Sequence, residues 1–177
     1  MSFVGGVGYS NIDLIYSGLD RLPDKGEEIF ARGFSMQFGG GIPATMINLS
    51  RLGVESRIIT FAGHDLFSEF VKKTLNSYPV KTVNLYKGNK MPVVLSSTLL
   101  YCGDRSFISY TDGMDLNDAV MDEVYENLKG AYVVDMHVGF LDVYKRLKKD
   151  GCIQIFDTGW EDDLTLEKYK DYLEIAD

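Results

Sequence analysis

Three consecutive glycines, Gly39 to Gly41, come directly before a segment with helical periodicity at residues 42–52. Glycine lacks a Cβ atom, so a ligand can approach its backbone closely and a positive φ costs little. The first N–H groups of a helix have no intrahelical partner and can bind an anion or a polyhydroxyl ligand. A tight strand-to-helix turn would also use glycine, although one would be enough. The residues leave a ligand site and a packing turn as equal alternatives.

An amide and a carboxylate, Asn11 and Asp13, follow the apolar segment FVGGVGY at residues 3–9. Residues two apart in an extended chain point to the same side, and such a pair could hold adjacent hydroxyl groups of a sugar. The alternative is a turn in which both side chains cap local backbone groups. Taken by themselves, the two residues favour that alternative.

Two nucleotide-binding motifs are excluded. The segment GGVGYSN is not GxGxxG, because Asn11 takes the place of the third glycine, and no acidic residue ends a following strand as a dinucleotide ribose requires. The P-loop motif GxxxxGK[ST] is also absent, because Ile42 and Pro43 follow the three glycines and no lysine does.

The elements that must position these residues alternate between strands and helices. We predict strands at 3–9, 56–63, 80–86, 131–138 and 152–157, and helices at 42–52, 66–76, 117–128, 140–150 and 164–177. Gly53 is predicted to close the first helix, and Asp65 to cap the second. This alternation predicts an α/β fold with a parallel sheet covered by helices on both faces.

Two extended regions, at about 12–38 and 91–110, interrupt that alternation. The second reads as a hairpin with strands at 91–101 and 106–112 and a turn at 102–105. We predict that both regions form a small β layer projecting from the main sheet. No linker divides the chain, so residues 1–177 are predicted to belong to one domain.

The composition is that of a globular protein, with 45% hydrophobic and 25% charged residues among 177 and a net charge of −8. This charge argues against a nucleic-acid partner, and no apolar stretch is long enough to cross a membrane. Cys102 and Cys152 are predicted to be two buried thiols in a reducing compartment, with no metal site. The first residues do not resemble a signal peptide, so we expect a cytoplasmic protein.

Several motifs, in this order, resemble those of the ribokinase-like (PfkB) family of carbohydrate kinases. They are Asn11-x-Asp13, the glycine turn, Arg51-Leu52-Gly53 at the end of the first helix, and Gly63-x-Asp65 at the start of the next. The hairpin STLLYCGDRSFISY resembles the lid strands of the family, and AYVVDMHVG and IQIFDTG resemble its next two central strands. The resemblance covers essentially the whole chain.

The resemblance implies a three-layer α/β/α fold with a small β lid. It also implies an enzyme that transfers the γ-phosphoryl group of ATP, with Mg²⁺, to a hydroxyl group of a small carbohydrate. The sugar would lie between the central sheet and the lid and contact Asn11, Asp13, Gly39, Gly40 and Gly41.

The resemblance implies that three further residues lie near the sugar. His137 would be another sugar contact, for which a core histidine with internal partners is the alternative. Ser97 or Arg105 of the lid would close over the sugar. The apolar faces of the lid strands could also pair with a second subunit and form a homodimer.

The chain departs from the family pattern at Ala44, where the family usually has asparagine, and at Ser68, where it often has glycine. The Asn-x-x-Glu motif, which organises magnesium and phosphate, does not occur in the 177 residues, nor does the Gly-Ala-Gly-Asp motif of the general base and anion hole. We therefore expect the N-terminal part of a ribokinase-like domain, incomplete at its C-terminus. It would contain no catalytic residue, bind ATP and Mg²⁺ poorly and be inactive alone.

Two other functions stay open. A non-catalytic sugar-binding or dimerisation remnant of the family would bind a sugar and ignore ATP. An unrelated α/β domain with a flavodoxin-like or dehydrogenase-like function would bind a nucleotide at the carboxyl ends of its first strands, where the sequence has no phosphate-binding fingerprint.

Overall fold

The computed structural model describes residues 2–159, 161 and 163–177. Its strands are β1 (Val4–Val7), β2 (Asn11–Ser17), β3 (Gly33–Gly39), β4 (Ser56–Thr60), β5 (Lys81–Asn84), β6 (Val94–Tyr101), β7 (Asp104–Tyr110), β8 (Val133–Met136) and β9 (Ile153–Phe156). Its helices are α1 (Gly41–Arg51), α2 (Leu66–Asn76), α3 (Asp118–Leu128), α4 (Leu141–Lys149) and α5 (Leu166–Leu173).

The central sheet has the strand order β5-β4-β1-β8-β9, and its described pairs are all parallel. From β1 the chain builds β4 and β5 on one side, then returns to build β8 and β9 on the other. A topological switch point therefore lies between β1 and β8. Open α/β sheets bind their ligands in the crevice outside the carboxyl ends of the strands at such a point.

The central strand β1 carries glycines where helices pack on both of its faces. A Cβ atom on Gly5 would lie 2.7 Å from Cδ2 of Leu128 in α3, and one on Gly6 would lie 2.6 Å from Cγ2 of Ile42 in α1. Because neither glycine has a side chain, each helix can approach the strand directly. The predicted three-layer α/β/α arrangement is confirmed.

An apolar core fills each face of the central sheet. Buried residues of α3 and α4 form one core, with Phe61, Phe140 and Tyr144 among its largest side chains. The other core includes Ile42 and Met46 of α1 and also Ile12 of β2. Burial of such side chains contributes about 1.5–3 kcal/mol each, so Ile12 anchors the second sheet to the body of the molecule.

The second sheet, which we call the lid sheet, has the order β3-β2-β6-β7. β2 and β6 are parallel, and the outer pairs are antiparallel. Residues paired across strands share a face, so Asp13, Ser96 and Ser109 lie on one face. The hydroxyl oxygens of Ser96 and Ser109 are 2.8 Å apart.

The helix boundaries follow local signals. Asp65 caps α2 as predicted, because its Oδ1 accepts hydrogen bonds from the N–H groups of Phe67 and Ser68. Ser68 stands where a glycine is frequent in the family, and its buried hydroxyl bridges the Gly63 N–H at 2.8 Å and Asp65 Oδ2 at 2.6 Å. Gly53 follows α1 with a φ of 82°, the left-handed geometry that ends helices.

The hairpin of the lid sheet differs from its prediction. Its turn contains only Cys102 and Gly103, with φ angles of 50° and 79°, rather than residues 102–105. Positive φ at both central residues is the geometry of two-residue hairpin turns. Cys102 is therefore exposed, and the prediction that it is buried is wrong because the turn projects its side chain into solvent; Cys152 is buried as predicted.

The last helix also differs from its prediction. α5 ends at Leu173 rather than at residue 177. The backbone N–H of Asp177 donates to the carbonyl of Gln154 at 2.9 Å, and the Gln154 N–H donates to the Asp177 carboxylate at 2.9 Å. Pairing alongside β9 thus replaces the final helical turn.

Within the described ranges, the helices are all too short or too polar to cross a lipid bilayer.

Candidate functional site

Asn11 and the glycine turn, two of the predicted parts of the ligand site, lie next to the switch point. Ser10 fixes the path of the chain from β1 into β2, because its Oγ lies 2.9 Å from Oγ1 of buried Thr60 and its carbonyl accepts from the Val94 N–H at 3.0 Å. β2 therefore begins, at Asn11, beside the carboxyl end of β1. Asn11 pairs with Gly39 at the end of β3, and α1 follows immediately.

Asn11 and Asp13 lie half-buried on one face of β2. Within the described part of the chain, neither side chain has a hydrogen-bond or ion-pair partner in the protein. The cap residues Asp65 and Asn117, by contrast, bind helix N–H groups. Burial raises the pKa of the Asp13 carboxyl group. The two side chains do not cap local backbone and keep their hydrogen-bonding groups open.

Each glycine of the turn has a different environment. A Cβ atom on Gly39 would lie 2.6 Å from Oδ2 of Asp13, so this glycine makes room for the carboxylate. Gly40 has a φ of 104°, and its Cβ would meet the carbonyl oxygen of Tyr9 at 2.8 Å. Gly41 is exposed at the start of α1, and a Cβ atom there would meet no other atom within 4 Å. Gly39 and Gly40 are thus tightly packed, whereas Gly41 is open.

His137 follows β8 on the other side of the switch point. Its backbone N–H donates to the Tyr144 hydroxyl at 2.9 Å, and its Nδ1 lies 2.8 Å from the Val138 carbonyl. A Cβ atom on Gly8, just after β1, would lie 3.8 Å from the imidazole Cδ2. The half-buried ring therefore borders the crevice, with one nitrogen held by the backbone.

Asp135 and Thr45 also lie at this site, although the sequence interpretation did not include them. Asp135 pairs with Gly6 of β1, and the Thr45 hydroxyl of α1 donates to the carbonyl of Gly41 at 3.2 Å. Burial is the main cause that raises the pKa of Asp135; Asp157 also raises it, and Thr45 and His137 lower it. A carboxylate inside the apolar strand segment AYVVDMHV was the signal that could have identified it.

The two predicted lid contacts lie away from this cluster. Ser97 pairs with Leu14 and Ile108, so it lies on the face of the lid sheet opposite Asp13. Arg105 shares the face of Asp13 but pairs with Leu100 near the hairpin turn. Leu100 is four residues along β6 from Ser96, the partner of Asp13, which corresponds to ~13 Å.

A metal site does not form from the residues that the structure describes. They include no group of three or more His, Cys, Asp or Glu side chains able to hold a metal ion. Asp135 and Asp157 influence each other electrostatically, but they make only a pair. We therefore assign no residue to Mg²⁺.

Known proteins with similar folds are sugar kinases. A ribokinase from Thermotoga maritima superposes with a TM-score of 0.76 at 18% identity, covering 97% of this chain and 57% of that one. The ribokinase from Giardia lamblia superposes with a TM-score of 0.79 at 17% identity, and the match covers 99% of this chain and 56% of that one. The ribokinase from Arabidopsis thaliana, solved with ribose and ATP, superposes with a TM-score of 0.71 at 22% identity. This match covers 92% of this chain and 55% of that one. These similarities establish the ribokinase-like fold.

Sequence comparisons give the family. A curated candidate sugar kinase from Pyrococcus horikoshii is 35% identical over 92 residues, which are 49% of this chain and 30% of that protein. The chain thus spans little more than half of the solved structures and aligns with under a third of this relative. The family described as pfkB family carbohydrate kinase matches residues 1–177. The chain therefore belongs to the pfkB family of carbohydrate kinases.

Proposed function

We propose that this protein is an ATP-dependent sugar kinase that transfers the γ-phosphoryl group of ATP to a hydroxyl group of a small carbohydrate. Residues 1–177 would form the sugar-binding part of one ribokinase-like domain, with the lid sheet as its cover. Family membership supports phosphoryl transfer. The ribose and ATP bound to the Arabidopsis thaliana ribokinase support a small sugar as the acceptor.

The observation that carries this proposal is the set of open hydrogen-bonding groups beside bare backbone. Asn11 and Asp13 have no protein partner in the described part of the chain, and Gly41 opens α1 with free space beside it. Sugar hydroxyls both donate and accept hydrogen bonds, so they match a carboxylate acceptor, an amide and the free N–H groups of a helix start.

In the proposed complex, the Asn11 amide and the Asp13 carboxylate bind neighbouring hydroxyl groups. Gly39 keeps the Asp13 carboxylate in place, since any side chain there would displace it. The N–H groups at the start of α1 bind a further oxygen of the sugar. When bound, ATP and Mg²⁺ supply the phosphoryl group and neutralise its charge.

A kinase assay tests the proposal. The protein, expressed from its complete reading frame, is incubated with ATP, Mg²⁺ and a panel of aldoses and ketoses, and ADP release is measured. We expect turnover of at least one sugar, and a loss in kcat/KM of about 10- to 100-fold in Asp13→Ala, the effect of losing a hydrogen bond to a charged group. Asp171→Ala, at an exposed position of α5, is the matched control and should not change kcat/KM.

Other results would change the assignment. Sugar binding without ADP release from any sugar would replace the kinase by the non-catalytic alternative. Equal kcat/KM values for Asp13→Ala and the unaltered protein would contradict the assigned site.

We also propose that the protein forms a homodimer through the lid sheet. The face opposite Asp13 exposes large apolar side chains toward both of its edges, and every residue of the edge strand β7 is exposed. The exposed side chains are Phe34, Met36, Ile108 and Tyr110. Exposed apolar side chains and an uncovered strand edge both favour a protein partner. A cytoplasmic location stays a prediction.

A further inference from the structure

Two tyrosine hydroxyl groups from different helices hold the turn that follows β8. The His137 N–H donates to the hydroxyl of Tyr144 in α4 at 2.9 Å, and the Gly139 N–H donates to the hydroxyl of Tyr172 in α5 at 2.8 Å. Both tyrosines are buried. A buried backbone N–H without a partner costs free energy, so each hydroxyl supplies an acceptor that the sheet no longer provides after the end of β8.

Ring packing fixes the positions of both hydroxyl groups. The centroids of the Tyr144 and Tyr172 rings lie 6.4 Å apart at an interplanar angle of 64°. The Tyr172 ring also stacks on the ring of Phe156 at 5.0 Å, and the Tyr144 ring makes a T-shaped contact with Phe140 at 6.5 Å. Aromatic side chains packed in this way are held in one orientation. The two acceptors are therefore in place before any ligand binds.

The state of the His137 ring follows from the same turn. Its Nδ1 lies 2.8 Å from the carbonyl oxygen of Val138. A carbonyl oxygen can only accept hydrogen bonds, so Nδ1 carries the proton, and Nε2 of the neutral ring is left as an acceptor. Within the part of the chain that the structure describes, Nε2 has no hydrogen-bond partner.

The ring edge that carries Nε2 lies at the carboxyl end of β1. A Cβ atom on Gly8 would lie 3.8 Å from Cδ2 of His137, the carbon bonded to Nε2, and 2.8 Å from Cγ1 of Ile42 in α1. The ring of Tyr9, whose carbonyl borders Gly40, lies 6.3 Å from the imidazole. The imidazole and the glycine turn therefore pack around the same two residues at the end of β1.

We propose that Tyr144 and Tyr172 are positioning residues of the sugar site. By holding residues 137–139 they keep His137 in the Nδ1–H tautomer, so that Nε2 accepts a hydrogen bond from a sugar hydroxyl. This inference rests on the proposed sugar site and extends it to the β8 side of the switch point. It also makes the packing of α4 and α5 a part of ligand recognition.

Nitrogen-15 NMR of the imidazole tests the tautomer. The protein is expressed from its complete reading frame with labelled histidine, and the His137 signals are assigned by comparison with His137→Gln. At a pH where the ring is neutral, we expect the protonated nitrogen to be Nδ1. Tyr144→Phe and Tyr172→Phe should each shift the tautomer ratio toward Nε2–H by at least about threefold, the effect of weakening one hydrogen bond. The signals of His64, the other histidine among residues 1–177, should not change.

Sugar affinity tests the consequence for binding. Isothermal titration calorimetry with D-ribose, D-fructose and D-glucose gives the Kd of each variant. For the sugar that binds best, we expect Tyr144→Phe and Tyr172→Phe each to weaken binding by about 3- to 10-fold. Tyr125→Phe removes the same group from a surface hydrogen bond to Asp150 at 2.7 Å and should change neither the Kd nor the tautomer ratio. Thermal melting shows that each variant is folded.

A double-mutant cycle separates positioning from general support of the fold. Nε2 is absent in the His137→Ala background, so adding Tyr172→Phe there should change sugar affinity by less than about twofold. A tyrosine hydroxyl that only supports the fold of the crevice would cause the same loss with and without the imidazole.

The outcomes distinguish this inference from the proposed function. The Nε2–H tautomer of His137 in the unaltered protein would overturn the inference and leave the sugar site standing, and equal losses in both backgrounds of the cycle would do the same. Absence of binding by every sugar would overturn the proposed sugar site and, with it, the role of Nε2 as a sugar acceptor. Should one tyrosine variant fail to fold, the other variant and the tautomer of the unaltered protein decide.

Discussion

At the scale of single residues, Gly39, Gly40 and Gly41 are adjacent in sequence but are required for different reasons. A side chain at Gly39 would collide with the Asp13 carboxylate, and one at Gly40 would collide with the backbone of Tyr9. Gly40 also has a positive φ, which L-residues rarely adopt. Gly41 has neither restriction, so packing does not account for its lack of a side chain.

The first prediction compares substitutions at two of these glycines. Gly40→Ala should lower the free energy of unfolding by about 1–3 kcal/mol, because it forces a strained φ and a contact with the Tyr9 carbonyl. Gly41→Ala should change it by less than about 0.5 kcal/mol, as for an unconstrained surface site. Urea denaturation measures both. Equal effects of the two substitutions would contradict the distinct roles.

The second prediction concerns Asp13 and pH. Burial raises the pKa of Asp13 in the folded protein, so the charged form is penalised by folding, and stability is lost as the pH rises through the folded-state pKa. Asp13→Asn should therefore be more stable than the unaltered protein at pH 7, by less than about 1 kcal/mol because solvent screens a half-exposed group. The difference should vanish as the pH falls below the pKa of the unfolded chain. Urea denaturation at pH 3 and pH 7 measures it.

Sugar binding provides the complementary observation for Asp13. The same Asp13→Asn substitution should weaken sugar binding, because it replaces an ionised acceptor. A gain in stability at pH 3 equal to that at pH 7 would show that burial of charge is not its cause.

At the scale of secondary-structure elements, local chemistry explains most boundaries. Asp65 starts α2, Asn117 starts α3, and Gly53 follows the end of α1, each through bonds or angles within a few residues. Such signals are readable because they depend on neighbours in sequence. The hairpin turn differs from its prediction because Cys102 is unusual at a positive φ, where Asn or Gly is typical.

The third prediction is the loss of one helix cap. Asp65→Ala removes the acceptor for two helix N–H groups and also leaves the buried Ser68 hydroxyl without its acceptor. We expect the free energy of unfolding to fall by about 1–2 kcal/mol. Asp65→Asn, which retains an acceptor oxygen, should lose less. Guanidinium denaturation of both variants gives the comparison, and a larger loss in Asp65→Asn would contradict the capping role.

The pKa of Asp65 adds a pH dependence to that prediction. Its bonds to Ser68 and Phe67 lower the pKa despite the opposing effect of burial. The stability that Asp65 contributes is therefore present above the unfolded-state pKa and is lost as the pH falls through the folded-state pKa.

At the scale of the whole molecule, two sheets with different tasks meet at one crevice. The parallel sheet supplies the switch point between β1 and β8, and the lid sheet supplies Asn11 and Asp13. Ile12, between those two residues, points into the core below. Because side chains alternate along β2, Ile12 anchors the strand to the core, whereas Asn11 and Asp13 face the candidate site.

The fourth prediction tests the exposed apolar residues on the face of the lid sheet opposite Asp13. Ile108→Asp, at a side chain that is 71% exposed, should convert the proposed dimer to a monomer, because a charge in an apolar interface is costly. Light scattering coupled to size-exclusion chromatography measures the mass. Leu66→Asp makes the same change at an exposed position of α2 and should leave the mass unchanged. A monomeric mass for the unaltered protein would contradict the dimer.

Much of this protein was readable from the sequence because its signals are local. Alternating apolar segments predicted the α/β fold, and Asp65 and Gly53 marked helix ends. The spacing of Asn11 and Asp13 predicted that both lie on one face of a strand, and β2 confirms this. Each of these properties depends on residues within one turn or one strand.

Contacts between distant segments decided the rest. The space beside Gly39 is limited by Asp13, and the space beside Gly40 is limited by the carbonyl of Tyr9. The pKa of Asp135 is influenced by Thr45, which is far away in sequence. The sequence left the three glycines ambiguous between packing and ligand access, and the fold shows that Gly39 and Gly40 are packed while Gly41 is open. Pattern alone cannot supply such neighbours, because strand order and helix packing determine which residues meet.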